Sequence, residues 1–403
     1  MKPHAESGVS DLLEAFADLG LRLVLVSTGG GCEAIARLVA TPGASRSVVE
    51  GLVPYATGSI DRLLGGPQER YCCQQTARRL AAVAWQRAAA ITGEPATAIG
   101  AAVTASLATT RPKRGNHRLH VAVQSLASTA TASVELVKGR TRGEEEQIAA
   151  AAFLRVLADS VGQDHPSASL PKLPLPLATA EQLVSSRLEA ADPWRRVFAG
   201  ELSAVRVIDP ALSDRYPPPG PPDEPREGML LFPGSFDPLH EGHRLMARIA
   251  EEVAERPAEF ELSITNVDKP PLDYLEIDER LSAFHTGQGV WLSRAATFLE
   301  KAEIFPKATF VMGADTYARL ADPAYYHGSA DAAKRAVKRF AERVAGLIIF
   351  GREHDGEFVD PSTLPMPKAV RGKAYFVSAR EFRMDISSSD IRRRELACES
   401  PSV

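Results

Sequence analysis

Long apolar runs are missing from this chain. No stretch comes near the roughly twenty residues that a membrane helix needs, and the opening segment, MKPHAESGVSDLLEAF, is polar and amphipathic with no secretory apolar core. Cysteine is scarce: Cys32, Cys72, Cys73 and Cys398 form no C-x-x-C pair and no zinc-finger spacing, which removes a disulfide scaffold and a structural zinc from the candidate classes. Charge of one sign is not in excess, because 47 Lys+Arg against 51 Asp+Glu leave a net −4. The basic clusters at Arg392-Arg393-Arg394 and Lys113-Arg114 are local, so neither nucleic acid nor an anionic membrane is expected as a partner. These absences predict a soluble protein of the reducing cytoplasm. What is present, 44% hydrophobic and 24% charged residues in a chain of 403, suffices for two domains with cores of their own.

The most informative stretch is residues 230–246, LLFPGSFDPLHEGHRLM. An apolar run stops at Pro233-Gly234. After Ser235-Phe236-Asp237-Pro238 come His240, Gly242 and His243, heading a helical pattern through Leu245, Met246 and Ile249. The order is strand, tight turn, helix. Gly234 lets the backbone bend without a Cβ, Pro238 fixes one φ, and Gly242 lets a ligand come close to the first helical turn. The N–H groups of that turn form an anion site. Two histidines three apart point the same way and can donate to phosphate oxygens, which suits electrostatic work on a phosphoryl or nucleotidyl group. A lone histidine would more simply be a satisfied side chain, but glycine and proline frame this pair. Metal ligation by His240, His243 and Asp237 lacks a third dependable ligand and the His-Glu-x-x-His spacing, so no metal held by these side chains is expected. Magnesium carried in on a nucleotide's phosphates is expected.

Residues 234–243 resemble the signature of the HxGH nucleotidylyltransferase superfamily, whose members include nicotinate-mononucleotide and phosphopantetheine adenylyltransferases and cytidylyltransferase-like proteins. The resemblance implies a Rossmann-like, doubly wound parallel sheet in the C-terminal half, with His240 and His243 catalytic and Gly234, Ser235, Phe236 and Gly242 at the nucleotide. Further strands are expected over 260–265, 309–312, 347–350 and 374–377, and in such a sheet ligands lie outside the strands' carboxyl ends. Lys269, in Asn266-Val267-Asp268-Lys269-Pro270-Pro271, would meet an acceptor phosphate there unless it is simply a solvated loop lysine. Arg280 resembles the family's helical arginine near the acceptor, and Arg352 the basic residue after a later strand. Gly313-Ala314-Asp315-Thr316 resembles the family's Gly-x-Asp segment beside the ribose, although Asp315 also suits a helix cap. Asp385-Ile386-Ser387-Ser388-Ser389-Asp390-Ile391-Arg392 resembles the family's Ile-Ser-Ser-Thr-x-x-Arg. Ser387, Ser388 and Ser389 would cap a helix and turn hydroxyls toward an anion, and Arg392 would neutralise phosphate charge.

In the N-terminal half, a helix over 10–20 and a buried strand over 21–26 lead to Ser27-Thr28-Gly29-Gly30-Gly31 and a second helix. A strand over 47–55, a helix over 72–91, strands over 99–106 and 119–125 and a helix over 142–161 complete one α/β domain. Residues 11–161 resemble the C-terminal domain of competence-damage-inducible proteins, an amidase acting on nicotinamide mononucleotide. The family's serine nucleophile corresponds to Ser27 and its tyrosine to Tyr55. Its lysine falls on Ile60, and no Lys or His stands between Gly31 and Lys113. A serine hydroxyl needs a base, so the expectation is a degenerate site and a domain that binds, packs or mediates a homo-oligomer, with Ser27 alternatively an ordinary helix cap.

The chain therefore reads as two α/β domains, 1–162 and 229–403, joined by a Pro-rich segment, 163–228, with a short helical stretch and a polyproline-like run over 216–225. The function the resemblances imply is transfer of AMP or CMP from magnesium-bound ATP or CTP to a small phosphorylated acceptor, releasing pyrophosphate. The favoured acceptor is nicotinate or nicotinamide mononucleotide, in NAD biosynthesis. The rivals are phosphopantetheine as acceptor and a nucleotide-binding regulatory protein without turnover.

Overall fold

The computed structural model describes residues 3–111, 113–209, 220–266, 270–320, 322–323, 328–354, 357–364, 368–382 and 391–392. The chain divides into two compact units, one of Met1–Ala199 with Asp268–Ile277 and the other of Gly200–Val267 with Asp278–Val403.

The first unit is built on a mixed six-stranded sheet. Its strands are β1 (Arg22–Thr28), β2 (Val48–Leu52), β3 (Ala98–Ser106), β4 (His117–Gln124), β5 (Ser128–Leu136) and β6 (Val184–Glu189), in the order β2-β1-β3-β4-β5-β6. β2, β1 and β3 run parallel, and β3 to β6 form an antiparallel meander. β1 and β3 read as nearly continuous apolar runs because both faces are covered. Helices α1 (Pro3–Asp18), α2 (Cys32–Ala40) and α5 (Arg142–Asp164) bury Leu12, Phe16, Leu38, Phe153 and Leu157 against Leu23, Leu25 and Val103 on one face. The Ala-rich α4 (Gln74–Thr92) lies against β1, β3 and β4. α3 (Thr57–Leu64) and α6 (Asp192–Ala199) complete the unit. Asp268–Ile277, which the sequence reading assigns to the C-terminal domain, packs here. The Tyr274 N–H donates to Thr129 Oγ1 (3.0 Å) and its hydroxyl to Leu126 O (2.9 Å), and its ring lies against Trp194 and Phe198.

The segment 163–228 contributes structure rather than serving as tether alone. Leu173 joins the first core, Glu181 accepts from the Val137 and Ala178 N–H groups, and β6 extends the first sheet. Residues 216–219 of its proline run lie outside the described residues, while Gly220 O and Pro222 O, in the remainder, accept from Arg206.

The second unit's main sheet holds β7 (Ala204–Ile208), β8 (Leu230–Pro233), β9 (Ala258–Ser263), β10 (Val290–Ser293), β11 (Thr309–Gly313), β12 (Gly346–Phe350) and β15 (Ala374–Val377); β13 (Arg352–His354) and β14 (Glu357–Val359) form a separate hairpin. The order is β15-β12-β11-β8-β9-β10-β7. All neighbours are parallel except β7, an antiparallel edge strand drawn from the segment before β8. Counting the parallel strands from β8, the spatial order is 3-2-1-4-5-6, that of a Rossmann-type sheet. The helices are α7 (Glu241–Ala254), the end of α8 (Tyr274–Leu281), whose first half belongs to the first unit, α9 (Phe298–Ile304), α10 (Ala314–Leu320), α11 (Ala330–Arg343) and α12 (Lys368–Arg371). α9 and α11 bury Ala302, Val337 and Phe340 against Leu231, Phe310, Met312, Leu347 and Ile349. The chain winds from β8 through β9 to β10, then crosses to β11 on the other side of β8. That reversal opens a crevice at the carboxyl ends of β8 and β11.

Candidate active site

The turn after β8 is shaped by one aromatic ring. Phe236 has φ +42°, a left-handed conformation that costs a non-glycine residue about 1–2 kcal/mol. Its ring is buried and meets Phe232, Phe260 and Phe284 edge-on at 5.3–5.5 Å, contacts of about 0.5–1.5 kcal/mol each that can offset the strain. Folding back, the ring covers Gly234, where a Cβ would stand 2.5 Å from it. Phe236, expected at the nucleotide, therefore has its side chain in the core and can offer a ligand its backbone. The Asp237-Pro238 peptide is cis.

His240 then caps α7 in an extended conformation, and the His243 N–H bonds back to His240 O at 2.9 Å. His243 Nδ1 accepts the His240 N–H at 3.3 Å, so the neutral ring carries its proton on Nε2. The two imidazoles stack with centroids 3.7 Å apart and 26° between planes, and the edge of the pair rests on Phe236 at 5.1 Å. Gly242 is buried.

Two arginines grip this turn. Arg280, buried near the end of α8, donates Nη1 to Ser235 O at 2.9 Å and holds Nη2 3.7 Å from Asp237 Oδ2. Arg392 donates Nη1 to Asp237 O and stands 3.5 Å from the same Oδ2. On the neighbouring strand β11, which pairs with β8 through Thr309–Leu230 and Phe310–Leu231, Gly313 ends the strand and α10 begins at once with Ala314 and Asp315. The His motif and the Gly313-Asp315 segment thus leave adjacent parallel strands at the same sheet edge.

The serine of the first unit sits in a different environment. Ser27 is buried at the end of β1, and its hydroxyl donates to Gly30 O at 2.9 Å. Gly29, Gly30 and Gly31 press on the end of β3: Cβ atoms there would meet Ala105 O, Leu107 Cδ1 and Val103 Cγ1 at 2.0, 2.5 and 2.9 Å. Glu146 fills the start of α2, accepting from the Gly31 and Glu33 N–H groups at 2.9 and 3.2 Å and from the Cys32 thiol. Tyr55 is 70% exposed, and no hydrogen bond joins it to Ser27 among the described residues. Ile60, on the resemblance's lysine position, is buried in α3.

Residues 231–394 match the cytidylyltransferase-like family. This segment is a cytidylyltransferase-like domain. No curated protein matches the sequence. Among solved structures, a competence-damaged protein (CinA) superfamily member from Escherichia coli is similar in the N-terminal part, at 17% identity over 40% of this chain and 90% of that one, with a TM-score of 0.32. The competence/damage-inducible protein CihA from Agrobacterium tumefaciens is 19% identical over 40% of this chain and 95% of its own, with a TM-score of 0.32.

Within the cytidylyltransferase-like domain, Gly234, Ser235, His240, Gly242, His243, Arg280 and Arg392 come together around one turn. Gly313 and Asp315 lie at the same sheet edge. Arg352 opens β13, just beyond the carboxyl end of β12. Lys269, Ser387, Ser388 and Ser389 lie outside the described residues. Two features of this turn have no sequence signal: Asp237 as the common neighbour of two arginines, and the Phe236 ring as its floor.

No helix of the described residues is long and apolar enough to cross a membrane. Among them, too, no group of three His, Cys, Asp or Glu residues could hold a metal ion.

Proposed function

We propose that the C-terminal unit catalyses nucleotidyl transfer from ATP or CTP to a small phosphorylated acceptor. The observation that carries this reading is that the stacked His240-His243 pair and the Gly313-Asp315 segment follow adjacent parallel strands, β8 and β11, at the strand-order reversal of a cytidylyltransferase-like domain. An oxygen of the acceptor's phosphate attacks the α-phosphorus, the bond from that phosphorus to the bridging oxygen breaks, and pyrophosphate leaves. No covalent enzyme intermediate is needed, because positioning and charge neutralisation supply the acceleration. His243 Nε2–H and His240 donate to triphosphate oxygens, Arg392 adds neutralising charge, and Ser387, Ser388 and Ser389 are candidate hydroxyl donors. Magnesium enters on the triphosphate, where it offsets phosphate charge; the described residues offer no cluster to hold it independently.

Nicotinate or nicotinamide mononucleotide is the favoured acceptor, because both halves of the sequence resemble proteins that handle that nucleotide. Lys269 and Arg352 are the candidate acceptor-side cations; Arg280, expected with them from the sequence, shares Asp237 with Arg392 and is read instead as a triphosphate-side cation. The first unit is better read as a binding or packing module than as an amidase. The Ser27 hydroxyl is engaged with Gly30, Ile60 replaces the lysine, and Glu146 occupies the helix start where an anion would bind.

Pyrophosphate release with magnesium and ATP or CTP, against nicotinate mononucleotide, nicotinamide mononucleotide and phosphopantetheine, tests the reading with His243→Ala as control. Turnover with a pyridine mononucleotide that His243→Ala lowers by orders of magnitude is expected. Absence of turnover with all three acceptors, with nucleotide binding intact, would overturn it in favour of a regulatory binder.

A further inference from the structure

One oxygen of Asp237 faces two guanidinium groups, Arg392 at 3.5 Å and Arg280 at 3.7 Å. The arginines come from distant parts of the chain and each also donates to a carbonyl of the same turn, Ser235 O or Asp237 O. Their burial differs: the Arg280 side chain is 8% exposed, whereas those of Asp237 and Arg392 are each 27% exposed. A buried guanidinium needs a compensating charge, and two cations converging on one point would repel without an anion between them. Asp237 supplies that anion from a position open to solvent, at the start of the helix carrying His240 and His243.

We propose that Asp237 is a placeholder for substrate phosphate: in the nucleotide-free protein it is the shared counter-ion of Arg280 and Arg392, and a triphosphate takes over that role on binding. The proposal rests on the nucleotidyl-transfer reading and deepens it. A polyphosphate offers more charge and more acceptor oxygens than one carboxylate, and guanidinium groups bind such oxygens in pairs. Asp237 remains beside the bound phosphates as a like charge, so it weakens their binding and promotes departure of pyrophosphate, when the arginines return to it. Asp237 is thus a positioning residue: it keeps two arginines aimed at the crevice before a triphosphate binds and limits how tightly they retain product.

Removing the charge while keeping the size of the side chain should therefore tighten anion binding. A merely structural Asp237 predicts the reverse, since its loss would let the arginines drift. The experiment is calorimetric titration of inorganic tripolyphosphate, with magnesium, into the full-length wild type, Asp237→Asn and Asp237→Glu, alongside pyrophosphate release from ATP and CTP. The expected result is binding about tenfold tighter in Asp237→Asn, near-wild-type binding in Asp237→Glu, and stronger inhibition of Asp237→Asn by added pyrophosphate. Equal or weaker binding in a folded Asp237→Asn, with the wild type turning over, overturns the placeholder alone. A wild type that neither binds tripolyphosphate nor turns over overturns the nucleotidyl-transfer reading and the placeholder with it. If Asp237→Asn does not fold, the wild type decides: the guanidinium Nε–H signals of Arg280 and Arg392 must both shift as tripolyphosphate is added, and their remaining in place overturns the proposal.

Discussion

His243 accepts the backbone N–H of His240 through Nδ1 at 3.3 Å, while its ring stacks on that of His240 at 3.7 Å. One nitrogen of His243 thus closes the start of α7, and the other, which carries the ring's proton, is the donor assigned above to the triphosphate. The two duties can be separated by substitution. In His243→Asn the side-chain oxygen can take the place of Nδ1 as acceptor, but nothing replaces Nε2. We expect His243→Asn to melt close to the wild type and to lose about 10²–10³ in pyrophosphate release, the scale of a lost transition-state donor. His243→Ala should lose both activity and about 1 kcal/mol of stability from the missing cap. Equal activity of His243→Asn and the wild type in a pyrophosphate assay would remove His243 from the chemistry.

Gly234 and Phe236 form the second testable relationship. A Cβ on residue 234 would lie 2.5–2.9 Å from three atoms of the Phe236 ring. That ring cannot retreat easily, because Phe232, Phe260 and Phe284 surround it. Gly234→Ala should therefore either destabilise the protein by about 1–3 kcal/mol, the range for overpacking, or displace the turn and abolish pyrophosphate release. In a Phe236→Ala background, itself destabilised by loss of the buried ring, the clash is absent and adding Gly234→Ala should cost little more. A Gly234→Ala variant that melts and turns over like the wild type would show that the turn is not set by this contact.

The site was readable where its residues are contiguous. Gly234 to His243 is a single segment whose glycine, proline and histidine spacing implies strand, turn and helix before any contact is known, and the structure has that order. Asp237, Arg280 and Arg392 were not readable as a group, because their proximity comes from packing across 155 positions of sequence. The same holds for Glu146, which reaches the α2 start from 113 to 115 residues away. Among the strands, β1, β3, β8 and β12 announced themselves as apolar runs. β5, STATASVEL, did not, because its buried polar side chains are spent on hydrogen bonds: Ser128 to Asp164, Thr129 to Gln124 and Thr131 to Val121 O. β7 was hidden in a segment read as linker, and β10 is only VWLS. Without β7 and β10 the sheet is two strands short, and the absence of β10 conceals the 3-2-1-4-5-6 order that locates the crevice.

Ser27 and Glu146 predict how the first unit responds to mutation. Ser27→Ala leaves the buried Gly30 carbonyl without its donor and should cost about 1 kcal/mol. Glu146→Ala leaves the Gly31 and Glu33 amides without their carboxylate at the positive end of α2 and should cost about 1–2 kcal/mol. Both losses are measurable by denaturant unfolding. Incubation of the wild type with nicotinamide mononucleotide should release no ammonia above the blank, and Ser27→Ala should match it. Ammonia release that disappears in Ser27→Ala would restore the amidase reading.

His120 gives the fold a pH dependence of known sign. Burial, with Arg118 adding to it, lowers the His120 pKa from 6.5 to about 4, and Nδ1 is paired with Ser133 Oγ at 2.7 Å across β4 and β5. Between these two values the unfolded chain binds a proton that the folded protein rejects, so stability rises with pH through that window. The contribution is complete above pH 6.5 and is lost as the pH falls to about 4. Its size follows from the shift, roughly 3 kcal/mol. His120→Asn can keep a partner for Ser133 but cannot titrate. Denaturant unfolding of the two proteins at intervals from pH 7 to 4 should show the wild type losing about that much more stability than the variant. Carboxylates elsewhere titrate in both and cancel in the difference. Parallel pH profiles would mean that the His120 ring charges within the folded sheet as readily as it does in the unfolded chain.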